Sequence, residues 1–296
     1  MHPPDRSQAV LVTGSSSGIG RDAALHLNGL GYTVFANVRR AEDGVSLTAA
    51  ARYPERLHPL VFDVTSAEGV EAAVGAVTAR LHQGGRLVGL FSNAGMGAYE
   101  GDLSCEGCSL DTQRRLMDVN FFGAVRVIQA FLPILRRSRG TVIVNSAMIA
   151  HAVIPFNAGY AASKCALEGW IDALRREVRP LGVRVSLIQA AEIQTEFLAK
   201  AKPEGIPTDT PYKAQYALGQ MFFAKPRPST PPRAAAPRRV SELVAKILQR
   251  GHPRPRYHVG RGAKPLYVLG LLPDRVQDQA FGKLVGIASR SGQPDS

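Results

Sequence analysis

The chain has 296 residues, 45% hydrophobic and 20% charged, with 36 Lys and Arg against 24 Asp and Glu for a formal net charge of +12. That length allows one or two domains with a large core, and the composition is that of a soluble globular protein rather than a disordered or fibrous one. No apolar run reaches the length needed to cross a bilayer, the start MHPPDRSQ has no apolar signal core, and three cysteines (Cys105, Cys108, Cys165) make no disulfide framework, which points to a reducing cytoplasm.

Residues 9–13 (AVLVT) are a short apolar run that reads as a buried strand. The run passes through Thr13-Gly14-Ser15-Ser16-Ser17-Gly18-Ile19-Gly20 into a helical pattern over 21–29. Strand, glycine turn and helix in that order suit a dinucleotide. Glycines permit the tight turn and close backbone approach, and the helix N-terminus attracts a pyrophosphate. Residues 32–38 (YTVFANV) form the second strand, whose end should lie beside the adenosine ribose. Where an acid would take the ribose 2′-hydroxyl, the chain has Val38, Arg39 and Arg40. The Arg39 fork suits a 2′-phosphate and favours NADP(H) over NAD.

Residues 57–63 (LHPLVFD) are a third strand. Thr65 or Ser66 caps the next helix, which runs to about residue 83 with Val70, Val74, Val77 and Leu81 on one face. A fourth strand over 87–92 ends in Asn93-Ala94-Gly95, a long helix over 111–137 carries Asn120, and 141–145 (TVIVN) is a fifth strand. A helix to about residue 179 follows, then a sixth strand over 183–188 (VRVSLI). Strands alternating with helices imply a parallel sheet covered on both faces. In the fifth-to-sixth interval, Tyr160 is followed four residues later by Lys164, one helical turn away on the same face. A phenol beside an ammonium is a proton donor whose pKa is drawn down toward working pH.

From Thr195 the alternation breaks. Residues 202–237 are rich in proline, alanine and charge, with aromatics at Tyr212, Tyr216, Phe222 and Phe223, and read as a substrate lid. Residues 241–249 look helical, 256–259 suit a last strand, and the apolar stretch 266–272 could finish the substrate pocket, line a subunit contact or touch a membrane. Between Lys225 and Arg261, ten Lys or Arg against the single acid Glu242 leave +9. The segment lacks interleaved aromatics and any nucleic-acid motif. A solvated basic flank is therefore expected, with docking to an anionic membrane surface or an acidic carrier domain as the alternative. The Cys105-Glu-Gly-Cys108 pair has no second such pair to complete a zinc site, and no metal is expected.

TGSSSGIG at 13–20, SNAG at 92–95, Asn120 within MDVNFFG and YAASK at 160–164 occur in order, and by these motifs residues 8–200 resemble the short-chain dehydrogenase/reductase family. FANVRRAEDG, AGYAASKCALEGW and PRYHVGRGAKPLYVLGLLPDR are similar to its hydroxysteroid and retinol dehydrogenase branch. The resemblance implies an α/β fold, a Rossmann-type doubly wound parallel sheet of about seven strands with helices on both faces, as one domain over 1–296 with a core at 8–200 and a C-terminal substrate lid. It implies that Gly14, Ser17, Gly18, Ile19 and Gly20 surround the pyrophosphate and ribose, that Arg39 with Ser17 holds the 2′-phosphate, and that Asp63 and Val64 meet the adenine. Asn93, Ala94 and Gly95 would meet the next part of the cofactor, and Thr195 its carboxamide or phosphate. Tyr160 would protonate a carbonyl oxygen, Lys164 hold the nicotinamide ribose, and Asn120 hold a relay water through its backbone. A homodimer or homotetramer built on helices 111–137 and 158–179 is also implied.

Two departures stand out. The family places a serine thirteen residues before the tyrosine, and here that position is Ala147, with Ser146 adjacent but pointing the other way by strand alternation. An engineered inactivating change, a natural departure in which Ser146 or the substrate supplies the bond, and a pocket turned to non-redox chemistry or binding all stay open. The family's Pro-Gly after the sixth strand is Ala190-Ala191, followed by Glu192.

Overall fold

A computed structural model describes residues 7–82, 84–97, 102–195, 209–216 and 236–284. Strands β1 (Gln8–Val12), β2 (Thr33–Val38), β3 (Leu57–Val61), β4 (Arg86–Ser92), β5 (Thr141–Ala147), β6 (Arg184–Ala190) and β7 (Arg256–Val259) form one sheet in the order β3-β2-β1-β4-β5-β6-β7. Every pairing is parallel. The order reverses between β1 and β4, and the crevice beyond the carboxyl ends of these two strands is where a doubly wound sheet takes its ligand.

Helices α1 (Gly18–Gly29), α2 (Ala41–Ala49), α3 (Ala67–Leu81), α4 (Leu110–Met117), α5 (Ala124–Ser138), α6 (Ala158–Val178), α7 (Pro237–Leu248), α8 (Ala263–Leu269) and α9 (Asp274–Leu284) complete the described chain. The strands alternate their faces with period two. Val142 and Val144 join Val127, Ile128, Phe131 and Leu174 in the core beneath α3, α5 and α6. Ile143 joins Val10, Val12, Phe91 and Ile188 on the other face, covered by Ala24 and Leu27 of α1 and Val240, Val244 and Ile247 of α7. At α3 the expected cap is Ser66, whose hydroxyl accepts the Gly69 amide at 3.0 Å.

Besides the unexpected helices α2 and α9, three features depart from the expected elements. The expected helix over 111–137 contains a π-helical turn, Asp118–Gly123, between α4 and α5. The whole helical run Leu110–Ser138, 29 residues, is long and apolar enough by length and composition to cross a membrane, which corrects the expectation that no such run exists. The sequence has no uninterrupted apolar stretch there, and helix formation joins its apolar pieces. In the fold these are core residues, with Val127, Ile128, Phe131 and Leu135 fully buried. Finally, β5 extends two residues beyond 145 to Ala147, which pairs with Ala190 at the end of β6. Of the lid residues, Phe222 and Phe223 lie outside the described residues, as does 225–235 of the basic segment.

Candidate active site

The turn after β1 is built for close backbone approach. Gly14 has φ 68° and Gly18 φ 54°, conformations that favour glycine. A Cβ on Gly14 would sit 2.9 Å from the Ala94 Cα, and one on Gly20 would collide with the Gly14 carbonyl oxygen. The turn is braced from behind. Asn37, buried in β2, accepts the Gly14 amide at 3.1 Å through its Oδ1 and donates to the Phe62 carbonyl at 2.8 Å. Thr13 Oγ1 accepts the amides of Asn93 and Ala94 at 2.9 and 3.0 Å, and Asn145 Nδ2 donates to Asn93 Oδ1 at 3.0 Å. The ends of β1, β4 and β5 are thereby tied together. Ser17 is the N-cap of α1, but its hydroxyl makes no cap bond. The first amides of a helix have no partner within the helix, which suits this end of α1 to an anion.

At the end of β2, Arg39 is exposed, while its neighbour Arg40 is turned back onto Asp43 at 3.2 Å. Arg39 lies close enough to Asp63 to act on it. Burial opposes ionisation of Asp63, but the amide and hydroxyl of Thr65, at 2.9 and 2.7 Å, and the charges of Arg39 and Arg126 outweigh it, and the carboxyl sits below its ordinary value. Val64 is buried and packs where a Cβ on Gly123 would approach within 2.7 Å. Glycine turn, Arg39, Asp63 and Asn93 to Gly95 therefore follow the carboxyl ends of four adjacent strands, and glycine cradle, helix N-terminus and basic fork fit a phosphorylated dinucleotide.

Lys164 is 5% exposed, and its Nζ donates to the Asn145 carbonyl at 3.2 Å and lies 5.7 Å from the centre of the Tyr160 ring. A Cβ on Gly95 would lie 3.6 Å from that Nζ. Burial lowers Lys164 to about 8, with Glu168 opposing. Burial raises Tyr160, which corrects the expectation that the ammonium draws the phenol down. Desolvation disfavours the charged phenolate. Tyr160 is held as a neutral phenol, the form that can give a proton.

Asn120 is fully buried in the π turn. Its side chain is committed: Nδ2 donates to the Met96 carbonyl at 2.9 Å and to Ser163 Oγ at 3.0 Å, while Oδ1 accepts the Met96 amide at 2.8 Å. It pins the loop after β4 to α6. Ser146 is buried and donates to Glu168 Oε1 at 2.6 Å, on the α6 side of the sheet, whereas Ala147 follows in extended conformation (φ −142°) and is half-buried. The hydroxyl of Ser146 is thus spoken for by a carboxylate. Beyond β6, Ala191 donates to the Val259 carbonyl at 2.8 Å and Glu192 bridges to Arg261, so the Ala190-Ala191-Glu192 path is fastened to the end of β7. The loop brings Thr195 over the glycine turn, where a Cβ on Gly18 would meet the Thr195 methyl at 3.2 Å.

Of the stretch expected as a lid, residues 209–216 pack against the loops after β4 and β5. The Tyr216 hydroxyl accepts the amides of Leu103 and Ser104, both at 2.7 Å, and donates to Asp102. Tyr212 donates to Glu106 at 2.8 Å. The Phe156 ring, on a residue with φ 62°, lies 4.7 Å from that of Tyr216 and 5.8 Å from that of Tyr212. Met148 and Ile149 are buried, whereas Ile154 is half-buried. In the C-terminal apolar stretch, Tyr267 stacks on His151 at 4.8 Å, so α8 packs on the loop after β5. The basic segment is partly neutralised: Arg238 pairs with Asp22 at 3.2 Å and Arg256 with Asp172 at 2.8 Å. Thr13, Asn37, Asn145 and the Glu168 cluster escaped the sequence reading. The one available signal was polar residues inside apolar strands, at Asn37, Asn145 and Gln189.

Comparison with known proteins follows the same lines. Residues 8–205 match the family model described as short chain dehydrogenase. The chain is 30% identical over 310 residues to 11-beta-hydroxysteroid dehydrogenase type 2 of Oryctolagus cuniculus, covering 98% of this chain and 75% of that protein. It is 30% identical over 277 residues to 3-ketodihydrosphingosine reductase of Bacteroides thetaiotaomicron, covering 93% of this chain and 96% of that one. A solved short-chain dehydrogenase from Streptomyces avermitilis superposes with a TM-score of 0.77 at 25% identity, over 95% of this chain and 99% of that one.

Proposed function

The chain belongs to the short-chain dehydrogenase/reductase family, and from that premise we propose that it is an NADP(H)-dependent oxidoreductase interconverting a ketone and a secondary alcohol on a lipophilic or polycyclic substrate. The observation that carries this reading is the pairing of half-buried Tyr160 with buried Lys164, one turn apart on α6, with the Lys164 ammonium beside Gly95. Bound NADPH would supply the hydride to the carbonyl carbon. Tyr160 gives its phenolic proton to the carbonyl oxygen, and the neutral state in which burial holds it suits that task. Lys164 meets the resulting phenolate with positive charge and holds the ribose hydroxyls. Asn120 is assigned a role through its backbone, since its side chain is occupied and it sits in a π-helical turn, a feature frequent at functional sites. Gly14, Ser17, Gly18, Ile19 and Gly20 receive the pyrophosphate and ribose, Asp63, Val64, Asn93 and Ala94 the adenosine side, and Thr195 the nicotinamide end. The lipophilic class is supported by relatives named for a hydroxysteroid and a ketosphingoid compound and by Ile154 and Phe156 beside the lid. The test is NADPH oxidation on a panel of steroid, retinoid and long-chain ketones. Binding of NADPH without turnover on any of them counts against the reading.

For the cofactor, Arg39 carries the choice. Charge-assisted hydrogen bonds contribute about 1.5–3 kcal/mol, so Arg39→Ala is expected to weaken NADPH roughly 10- to 100-fold and leave NADH nearly unchanged. Fluorescence titration with both nucleotides checks this, and equal losses for the two would remove Arg39 from the 2′-phosphate.

Ala147 favours a second reading, in which the pocket binds NADP(H) without redox turnover. Ser146 does not replace the missing hydroxyl on this geometry, because it is bonded to Glu168. This reading requires unchanged nicotinamide absorbance with every substrate that binds.

A further inference from the structure

One turn beyond Lys164 on α6 lies a carboxylate to which neither the proton transfer nor the cofactor gives a role. Glu168 is 8% exposed. Its Oε1 accepts the Ser146 hydroxyl at 2.6 Å, its two oxygens accept Gln189 Nε2 at 2.9 and 2.8 Å, and the Arg256 guanidinium lies 3.5 Å from Oε2. These partners sit on three different strands: Ser146 and Gln189 are paired neighbours near the ends of β5 and β6, and Arg256 begins β7. Asp172, a further turn along α6, holds the same Arg256 at 2.8 Å. A buried charge is tolerated only when paired and hydrogen-bonded, and here the donors are met.

The location gives the cluster its consequence. The residues immediately after Ser146 and Gln189 are Ala147 and Ala190, also paired with each other. Ala147 occupies the position from which a substrate oxygen would be approached, and Ala190 opens the loop that carries Thr195 to the glycine turn. On the helix side, Lys164 is faced by Glu168 and Tyr160 of its own helix and by the Asn145 carbonyl of β5. Glu168 itself is faced by Arg256 and His258 from β7 and by Cys165 and Lys164 from α6.

We propose that Glu168 is a positioning residue of this site, clamping the ends of β5, β6 and β7 to α6 and supplying the counter-charge one turn from the Lys164 ammonium. The proposal rests on the reading of Tyr160 and Lys164 as the proton-donating and cofactor-holding pair, and its test is made to stand apart from that reading. Glu168→Gln keeps the volume and one acceptor but removes the charge. In cofactor-free protein carrying ¹³Cε-labelled lysine, with Lys164 assigned by its absence in Lys164→Met, the Lys164 titration midpoint is expected to fall by about one pH unit or more in Glu168→Gln, because an opposite charge that favoured the ammonium is gone. Glu168→Asp, which keeps the charge, is expected to restore most of the shift and remains informative if the glutamine variant does not fold. Turnover at saturating NADPH is expected to fall about tenfold in Glu168→Gln, with the substrate KM changed little, as misplacement of the strand ends rather than lost substrate contact would give. A lowered melting temperature with an unmoved Lys164 midpoint in both variants means a merely structural carboxylate and overturns the proposal. A shifted midpoint with an NADPH affinity that is flat in pH upholds the role of Glu168 and counts against Lys164 as the cofactor-holding group.

Discussion

Tyr160→Phe is expected to abolish ketone reduction while leaving NADPH affinity within a few-fold of the parent. The proposed proton donor is the phenol beside Lys164, and a positioned general acid contributes roughly 10²–10⁴ in rate. Removal of the hydroxyl leaves the ring, so the packing of α6 against the loops is kept. Stopped-flow measurement of NADPH consumption together with a direct binding titration separates the two effects. Full turnover in the variant would require another proton source. The pH profile carries the same assignment with a definite sign. Because burial lowers Lys164 to about 8, its ammonium is present below that value and is lost as pH rises through it. Reduction is therefore expected to decline on the alkaline side near pH 8, well before an ordinary lysine would titrate. The raised Tyr160 remains protonated across that range and sets no limb of its own.

Ala147→Ser is expected to act in the opposite direction. A developing oxyanion at the carbonyl would receive one donor from Tyr160. The position that should hold a second donor is a methyl group, and the neighbouring Ser146 hydroxyl is bound to Glu168 at 2.6 Å on the far side of the strand. Loss of one such donor costs on the order of 10²–10³ in rate, about 3–4 kcal/mol. Serine at 147 continues the strand without altering its alternation, and Ala147 is half-buried rather than enclosed. Side-by-side turnover on the same ketone panel gives the answer. A gain of about a hundredfold or more makes this an ordinary reductase site lacking one hydroxyl. Equal rates in both proteins would mean that the substrate oxygen finds its second partner elsewhere.

What could be read in the sequence is what the chain encodes locally. The cofactor turn is contiguous, strand to glycines to helix, and Arg39 follows its strand directly. Tyr160 and Lys164 lie one helical turn apart, so their shared face needs only the helix. The parallel sheet followed from alternation and came out with seven strands. The parts that were illegible depend on distant residues or on burial. Nothing in the spacing links Tyr216 to Asp102, 114 residues away, or Arg256 to Asp172, 84 away. The π turn at Asp118–Gly123 is hidden because a single inserted residue barely disturbs an apolar helical pattern. The direction of the Tyr160 shift differs from the expected one for a related reason: Lys164 is written in the sequence beside the tyrosine, whereas the desolvation that raises the phenol exists only in the folded protein. Helix α2 escaped notice because Gly44 interrupts its pattern, although that glycine lets the helix approach Pro59, which a Cβ would meet at 2.8 Å.

The last strand and the helix before it have a bearing on how this molecule can be divided. The motifs for cofactor and proton transfer all fall before residue 196, which invites treating that portion as a self-sufficient module. Yet Val240, Val244 and Ile247 of α7 cover one face of the central strands, and β7 caps β6. A fragment ending near residue 205 would bare an apolar sheet face and an open strand edge together, the combination that recruits neighbouring chains into aggregates. It would also strip Arg256 from Glu168 and Asp172. An excision, fusion or permutation that separates the N-terminal two thirds from the C-terminal third is therefore expected to forfeit the first along with the second.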